Sequence, residues 1–260
     1  MHGLDLFSGY GGITLALSKW VIPIAYCEID RYARGILLSR MSEYKLPKAP
    51  IWDDINTFPS KDFKNKVDII YGGFPCQDIS LAGNGKGLEG ERSGLFFRLC
   101  KVVEEIEPSF IFLENVPAIR TRGLYRITET LTNMGYDCRW TCVSAAEVGA
   151  PHLRKRWFLL AYSCSNRKKW DEPENRERSW LIQNSSNVRN EIASGNEQQR
   201  IQQSIPTSKT WKTKSSVGRV VDGCSNRVDR IKALGNGVVP LQAKKAFEKL
   251  IGNFVKWTAY

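Results

Sequence analysis

The sequence predicts an α/β protein in which helices cover an open, mostly parallel sheet. Short apolar segments alternate with segments of helical periodicity along the first 164 residues, and glycine-containing turns follow two of the apolar segments. The chain of 260 residues is long enough to bury a sizeable core. This alternation favours parallel pairing, because parallel strands need a long crossover connection that is usually a helix.

Six segments are predicted to be strands, because each is short, rich in aliphatic or aromatic residues and bounded by polar or glycine-containing turns. The segments between them place apolar residues on one side of a helix. The predicted strands are residues 3–7, 21–27, 67–71, 108–113, 136–143 and 157–162. The predicted helices are residues 13–20, 31–44, 95–106, 125–134 and 241–255.

The regular pattern stops near residue 165. Residues 165–216 are polar, with too few apolar side chains for a core, so a loop-rich or partly ordered region is expected. Trp170, Trp180 and Trp211 lie among Lys and Arg, which suits contacts with bases and phosphates but equally a surface insertion. We divide the chain into a main domain (1–164), a short variable region (165–225) and a C-terminal segment (226–260) whose helix packs back on the main domain.

The formal net charge is +11, and its distribution is uneven. Residues 1–164 carry a net charge of +2, so +9 lies in residues 165–260. A strongly basic balance indicates a polyanionic partner such as nucleic acid. The plainer alternative is a solvated basic tail.

Several classes of protein are disfavoured. No run of 18 apolar residues is present, so no membrane span is expected, and the N-terminal residues lack the features of a signal peptide. Seven Cys and two His predict neither a disulfide framework nor a metal site. We therefore expect a cytoplasmic, metal-free protein that acts as a monomer.

A nucleotide-type pocket is predicted at the first turn. Residues 7–12, Phe-Ser-Gly-Tyr-Gly-Gly, join the first strand to the first helix, as in the first unit of a Rossmann-like fold. Glu28 ends the next strand and can accept hydrogen bonds from both ribose hydroxyls. Asp54 follows a third candidate segment and can bind an adenine amino group. Many glycine turns serve packing alone, so it is the ordered set that favours an adenosine ligand.

Two reactive side chains are predicted at the same edge of the sheet. Cys76 follows the strand of residues 67–71 and can be a covalent nucleophile, although a buried structural Cys is the default alternative. Glu114 follows another strand and can act as an acid if burial keeps it protonated, with a solvated carboxylate as the alternative. Residues 152–156 precede a strand and are either site residues or a basic surface cluster.

Taken together, these motifs resemble those of the DNA (cytosine-5)-methyltransferase family. They match its cofactor, nucleophile, Glu-Asn-Val, Gln-x-Arg-x-Arg and C-terminal Gly-Asn motifs, and they occur in the family's order. His152 stands where the family usually has Gln. The matching segments are residues 5–12, 73–80, 114–116, 150–156 and 235–240.

The resemblance implies the Rossmann-like sheet of S-adenosyl-L-methionine-dependent methyltransferases, with residues 165–225 as a small, irregular target-recognition region. It also implies a cofactor, S-adenosyl-L-methionine, and a substrate, double-stranded DNA. The implied cofactor-binding residues are Asp5, Phe7, Gly9, Gly11, Glu28, Ile29, Asp54, Ile55, Leu95 and Asn236. The implied catalytic residues are Cys76, Glu114, Arg154, Asn115 and Pro75, and the implied DNA contacts are Gln77, Ser80, Arg156, Arg219, Arg227 and Arg230.

The implied activity is methylation of cytosine at carbon 5 by a bacterial or phage enzyme of a restriction–modification system. Cys76 would attack carbon 6, Glu114 would act at N3 and Arg154 at the O2 side, after the base has flipped out of the duplex. A tRNA cytosine-5 methyltransferase of the same fold and a catalytically inactive DNA-binding relative are the alternatives. The Thr141-Cys142 pair resembles the second Cys of RNA-dedicated enzymes, and we interpret it as a coincidence.

Overall fold

A computed structural model describes residues 1–75, 94–166 and 237–255 of the chain. These residues form one sheet with helices on both of its faces. The strands are β1 (His2–Leu6), β2 (Ile22–Cys27), β3 (Ile51–Trp52), β4 (Ile69–Gly73), β5 (Phe110–Asn115), β6 (Tyr136–Ser144) and β7 (Lys155–Ser163). The helices are α1 (Gly12–Leu17), α2 (Arg31–Ser42), α3 (Gly94–Ile106), α4 (Ile119–Arg122), α5 (Leu124–Asn133) and α6 (Pro240–Val255), with 3-10 turns at Ser60–Phe63, Ala146–Val148 and Cys164–Asn166.

The strand order is β3-β2-β1-β4-β5-β7-β6. Strands β1 to β5 are parallel, whereas β7 runs antiparallel to both β5 and β6. The prediction of a mostly parallel α/β sheet is therefore confirmed. Because β1 lies between β2 and β4, the strand order reverses beside it, and the carboxyl ends of strands at such a switch point are where open α/β sheets bind ligands.

Two hydrophobic layers cover the sheet. On one face, α3 and α5 bury side chains such as Phe96 and Leu131 against the strands. On the other face, α1 and α6 pack together, and the ring of Phe247 lies 5.2 Å from that of Phe112 in an edge-to-face arrangement. The C-terminal helix thus completes the core of the domain that the N-terminal strands begin. In the part of the chain that is described, no helix is long and apolar enough to cross a membrane.

The observed bounds differ from the predicted ones at several places. Strand β5 spans Phe110–Asn115 instead of residues 108–113, and α4 was not predicted. Two further differences lie near the ends of the other strands at the site. Strand β4 spans Ile69–Gly73 instead of residues 67–71, because Gly72 and Gly73 still pair with β1 and β5. Strand β7 begins at Lys155, two residues earlier than predicted, because Lys155 and Arg156 pair with the end of β6. Both differences extend the sheet towards the edge at which the site residues lie.

Replacing Gly72 with alanine is expected to destabilise the fold by about 3 kcal/mol or more. A Cβ atom at residue 72 would lie 1.8 Å from the carbonyl oxygen of Leu6, a backbone atom that cannot move without separating β1 from β4. The free energy of unfolding from urea titration measures the effect. Gly35→Ala is the control, because a Cβ atom there meets none of the described residues within 4 Å, and alanine favours a helix over glycine by about 1 kcal/mol. Equal unfolding midpoints for the two variants would contradict the close approach of the backbone at residue 72 to the Leu6 carbonyl.

Candidate active site

The glycine turn after β1 is held against the end of β2. Phe7, Gly9 and Gly11 have φ angles of 56°, 52° and 74°, in the left-handed region that glycine adopts freely and that strains phenylalanine. The backbone N–H of Ser8 donates to the carbonyl of Cys27 over 3.1 Å, which ties the turn to the neighbouring strand. The turn therefore lies at the carboxyl edge of β1 and β2, beside the switch point of the sheet.

Glu28 follows β2 and faces this turn. Its carboxylate accepts hydrogen bonds from the backbone N–H groups of Gly9 (2.7 Å) and Asp30 (2.8 Å). Asp30 in turn caps α2, since its side chain accepts from the N–H groups of Tyr32 and Ala33. The backbone thus fixes the direction of the Glu28 carboxylate before any ligand binds.

Apolar side chains surround the same edge. Ile55 belongs to the hydrophobic cluster beneath it, and Phe7 and Leu95 pack partly buried against that cluster. Ile29, next to Glu28, is 72% exposed, an unusual environment for a large aliphatic side chain. Phe7, Ile55 and Leu95 thus belong to one apolar cluster, and Phe7 is also part of the glycine turn.

Asp54 follows β3, and its Oδ1 atom accepts hydrogen bonds from the backbone N–H and the side-chain amide of Asn56. These bonds hold the carboxylate within its own loop. The predicted site residues that lie outside the described part of the chain are Cys76, Gln77, Ser80, Arg219, Arg227, Arg230 and Asn236.

Asp5 lies beneath the glycine turn and is 1% exposed. Its Oδ2 atom accepts a hydrogen bond of 2.5 Å from Thr14, whose hydroxyl oxygen lies 3.0 Å from that of Tyr71. Burial raises the pKa of Asp5 to about 8, and the charge of Glu28 adds to the effect, while the bond from Thr14 opposes it. The Asp5 carboxyl therefore links β1, α1 and β4 largely in its neutral form at pH 7.

Asp5→Asn is expected to reduce the loss of stability as pH rises. A carboxyl with a pKa of about 8 in the folded state and 3.8 in the unfolded state binds more protons when the protein is folded. Its contribution to the free energy of unfolding is therefore complete below pH 3.8 and is lost as pH rises through about 8. Between about pH 5 and pH 8 this loss amounts to about 2–4 kcal/mol, and asparagine does not titrate. Urea unfolding of both proteins at the two pH values measures the difference. Identical pH dependence in the two proteins would refute the assignment.

Glu114, near the end of β5, is 9% exposed and forms an ion pair with Arg156, whose Nε atom lies 2.7 Å from its Oε1 atom. Register explains the contact: Glu114 pairs with Phe158, so Arg156, two residues earlier on β7, lies on the same face. Burial raises the pKa of Glu114 to about 7, although the charges of Arg156 and Arg154 lower it. At neutral pH the carboxyl can therefore exist in either protonation state.

Gly73 and Asn115 shape the surroundings of Glu114. A Cβ atom at residue 73 would lie 2.6 Å from its Oε2 atom, so Gly73 provides the space that the carboxyl occupies. Asn115, 2% exposed, donates from Nδ2 to the carbonyl of Phe74 over 3.2 Å and accepts at Oδ1 from the N–H of Val116. Asn115 thereby fixes the Phe74-Pro75 segment that directly precedes Cys76 in the sequence.

Arg154 connects this group to the C-terminal segment. Its Nη2 atom donates to the carbonyl of Gly237 over 2.6 Å. Burial and the charge of Arg156 lower the pKa of Arg154, whereas Glu114 raises it; a guanidinium nevertheless stays charged in proteins. Glu114, Arg154 and Arg156 thus form one partly buried acid–guanidinium group at the carboxyl edge of β5.

Sequence reasoning missed two features of this site, the roles of Gly73 and Thr14. For Arg156 the resemblance implies either support of the site of Arg154 or contact with a DNA phosphate. Arg156 pairs with Glu114, and the two-residue spacing of Arg154 and Arg156 on a strand was the available indication. Gly73 and Thr14 carried no such indication, since their roles depend on strand register and helix placement. Within the three described stretches, no group of three or more His, Cys, Asp or Glu is arranged to hold a metal ion.

The protein is thus of the α/β class, with a glycine turn that faces a fixed carboxylate at the ends of β1 and β2 and an acid paired with a guanidinium at the end of β5. The chain belongs to the C-5 cytosine-specific DNA methylase family, whose model matches residues 1–242. The predicted family is therefore confirmed.

Type II methyltransferases are among the relatives of this chain. M.CviJI of Paramecium bursaria Chlorella virus IL3A is 36% identical over 159 residues, which cover 61% of this chain and 42% of that protein. M.NgoBI of Neisseria gonorrhoeae is 32% identical over 192 residues, which cover 71% of this chain and 58% of that protein. The chain thus spans about half the length of the curated relatives that it matches.

Solved structures share the fold. A DNA modification methyltransferase encoded within a prophage of E. coli aligns with a TM-score of 0.51 and 25% identity, covering 64% of this chain and 47% of that one. DNMT2 of Spodoptera frugiperda aligns with a TM-score of 0.51 and 21% identity, covering 62% of this chain and 50% of that one. These likenesses agree with the predicted Rossmann-like sheet.

Proposed function

We propose that this chain transfers a methyl group from S-adenosyl-L-methionine to carbon 5 of cytosine in double-stranded DNA. The observation that carries the proposal is Glu114: a buried carboxyl whose pKa is raised to about 7, on the strand end next to the segment that leads into Cys76. A carboxyl that is protonated near neutral pH suits proton donation to a base nitrogen. The similarity to type II methyltransferases supports the same activity.

The glycine-turn edge fits the cofactor. Glu28 would accept hydrogen bonds from the ribose hydroxyls, and Phe7 and the exposed Ile29 would flank the adenine. Among the described residues, a Cβ atom at Gly9 would meet nothing within 4 Å, so the described part of the chain leaves space beyond its backbone. When bound, S-adenosyl-L-methionine supplies a methyl group on a sulfonium.

Carbon 5 of cytosine is a poor nucleophile, and Cys76 and Glu114 would activate it. The Cys76 thiolate forms a bond to carbon 6, and the electron pair of the 5,6 double bond moves through the ring towards N3, where Glu114 delivers a proton. The resulting enamine is nucleophilic at carbon 5, which takes the methyl group. A base then takes the proton from carbon 5, and its electron pair restores the 5,6 double bond as the bond to Cys76 breaks and the thiolate leaves. N3 returns its proton to Glu114, so both side chains are regenerated.

Arg154 and Arg156 have different parts in this proposal. Arg154, held by the C-terminal segment, would donate to the O2 side of the cytosine. Arg156 holds the Glu114 carboxyl and moderates its pKa. Because a stacked duplex hides carbon 6 and N3, the cytosine has to leave the stack before these groups can reach it.

Incubation with methyl-tritiated S-adenosyl-L-methionine and either duplex DNA or tRNA tests the proposal. We expect label in DNA, recovered as 5-methyldeoxycytidine after digestion to nucleosides. Label in tRNA alone would favour the RNA alternative, and label on an exocyclic amine would contradict attack at carbon 5. Bisulfite sequencing of DNA from cells that express the chain would then identify the target sequence.

A further inference from the structure

One short segment after the variable region connects both halves of the site. The carbonyl of Gly237 accepts the hydrogen bond from Arg154. The next residue, Val238, packs so closely on the start of α1 that a Cβ atom at Gly12 would lie 2.8 Å from its Cγ1 atom. The segment therefore touches the glycine turn on one side and the acid–guanidinium group on the other, and α6 begins directly after it.

Gln242, in the first turn of α6, holds this segment to the sheet. It is 0% exposed, and its Nε2 atom donates to the carbonyls of Val143 (2.6 Å) and Arg154 (2.7 Å). The Arg154 carbonyl also accepts from the N–H of Ala145 over 3.1 Å. The side-chain amide of Gln242 thus bridges Val143 and Arg154, the residues near the two ends of the loop between β6 and β7.

Packing alone does not explain a polar residue at this position. The neighbouring buried residues of α6 are apolar: Ala243, Ala246, Phe247 and Leu250. Burial of the amide carries a cost, because the Oε1 atom of Gln242 has no hydrogen-bond partner among the described residues. An apolar side chain of similar length would avoid this cost, so the amide has a role beyond filling the core.

We propose that Gln242 is a positioning residue for Arg154: it fixes the Arg154 backbone while Gly237 fixes the guanidinium. The inference rests on the proposed function, in which Arg154 contacts the cytosine. Gln242 binds the backbone carbonyl of Arg154, and the carbonyl of Gly237 binds its guanidinium. With both ends held, the Arg154 side chain keeps one orientation beside the Glu114 carboxyl. Small displacements of such a group lower catalytic rates steeply.

Gln242→Met tests this proposal, because methionine keeps the length of the side chain and removes both donors. We expect kcat for methyl transfer to fall about tenfold or more, with KM for S-adenosyl-L-methionine unchanged within about twofold. Leu250→Ala is the matched control: it lowers the unfolding temperature through a cavity on the same helix but leaves kcat unchanged. Equal effects of both variants on kcat would overturn the proposal.

A double-mutant cycle separates positioning from a general structural effect. In an Arg154→Ala background, Gln242→Met should lower the rate by no more than about twofold, because the group that it positions is gone. Full additivity of the two rate losses would overturn the proposal.

Hydrogen exchange needs no substrate, so its result does not depend on the proposed function. Gln242→Met should speed exchange of the Ala145 N–H, and Leu250→Ala should leave it slow. Slow exchange of the Ala145 N–H in Gln242→Met would show that Gln242 does not fix the Arg154 carbonyl, even if the unaltered chain proved inactive. Absence of methyl transfer by the unaltered chain would instead refute the proposed function and, with it, the positioning role.

Discussion

Replacing Cys76 with alanine is expected to abolish methyl transfer, with a loss of about 10⁴-fold or more, and to leave binding of S-adenosyl-L-methionine intact. Without a bond between sulfur and carbon 6, the cytosine ring gains no nucleophilic character at carbon 5. The described cofactor residues lie in or directly after β1, β2 and β3 and at the start of α3, and none of these segments contains Cys76. Tritium transfer to duplex DNA measures the first effect, and calorimetric titration with the cofactor measures the second.

Cys142→Ala is the matched control for that experiment. Cys142 lies in the Thr141-Cys142 pair of β6, and burial raises the pKa of its thiol, although the nearby Arg120 opposes the shift. A thiol in this state supplies little thiolate at neutral pH, so its removal should leave methyl transfer unchanged. The opposite pattern, with activity retained without Cys76 and lost without Cys142, would assign the nucleophile to Cys142 and favour the RNA-type mechanism.

Local features of the sequence were sufficient to predict six of the seven described strands and the first turn. The strands of β1, β2 and β5 are short apolar runs, and the glycines of the first turn adopt the left-handed angles for which glycine is suited. Strand β3 has only two residues, too few for a periodic pattern. The antiparallel direction of β7 depends on its pairing with β5, and the short connection from β6 was the one local indication of it.

The candidate site could be predicted in part, because some of its residues lie at strand ends that the local sequence identifies. Residues at the ends of parallel strands share one edge of the sheet, so Glu28 and Glu114 could be assigned to it from their positions alone. Contacts between strands could not be predicted, because they depend on strand register. Glu114 forms its ion pair with Arg156 because it pairs with Phe158 on the neighbouring strand. Gln242 contacts residues 99 and 88 positions away, and a polar residue on an apolar helix face was the only trace in the sequence.

The protonation state of Glu114 determines how the rate should depend on pH. Burial holds its pKa at about 7, above the ordinary 4.5, so the acid form is available at neutral pH. If the reaction needs that form, kcat falls as pH rises through about 7. The charge of Arg156 lowers this pKa, so its loss should move the fall in rate to higher pH. Arg156→Gln and Arg156→Lys form the matched pair, since lysine keeps the charge and should keep the fall near pH 7.

Glu114→Gln is expected to lower kcat by about 10²–10³-fold and to remove the fall in rate above pH 7. Glutamine fills the same space beside Gly73 and can donate a hydrogen bond to N3, but it cannot deliver a proton and does not titrate. Values of kcat from about pH 6 to about pH 9, at saturating DNA and cofactor, measure both effects. A wild-type rate that stays flat through pH 7, or a fall that moves to lower pH in Arg156→Gln, would show that Glu114 is not the proton donor.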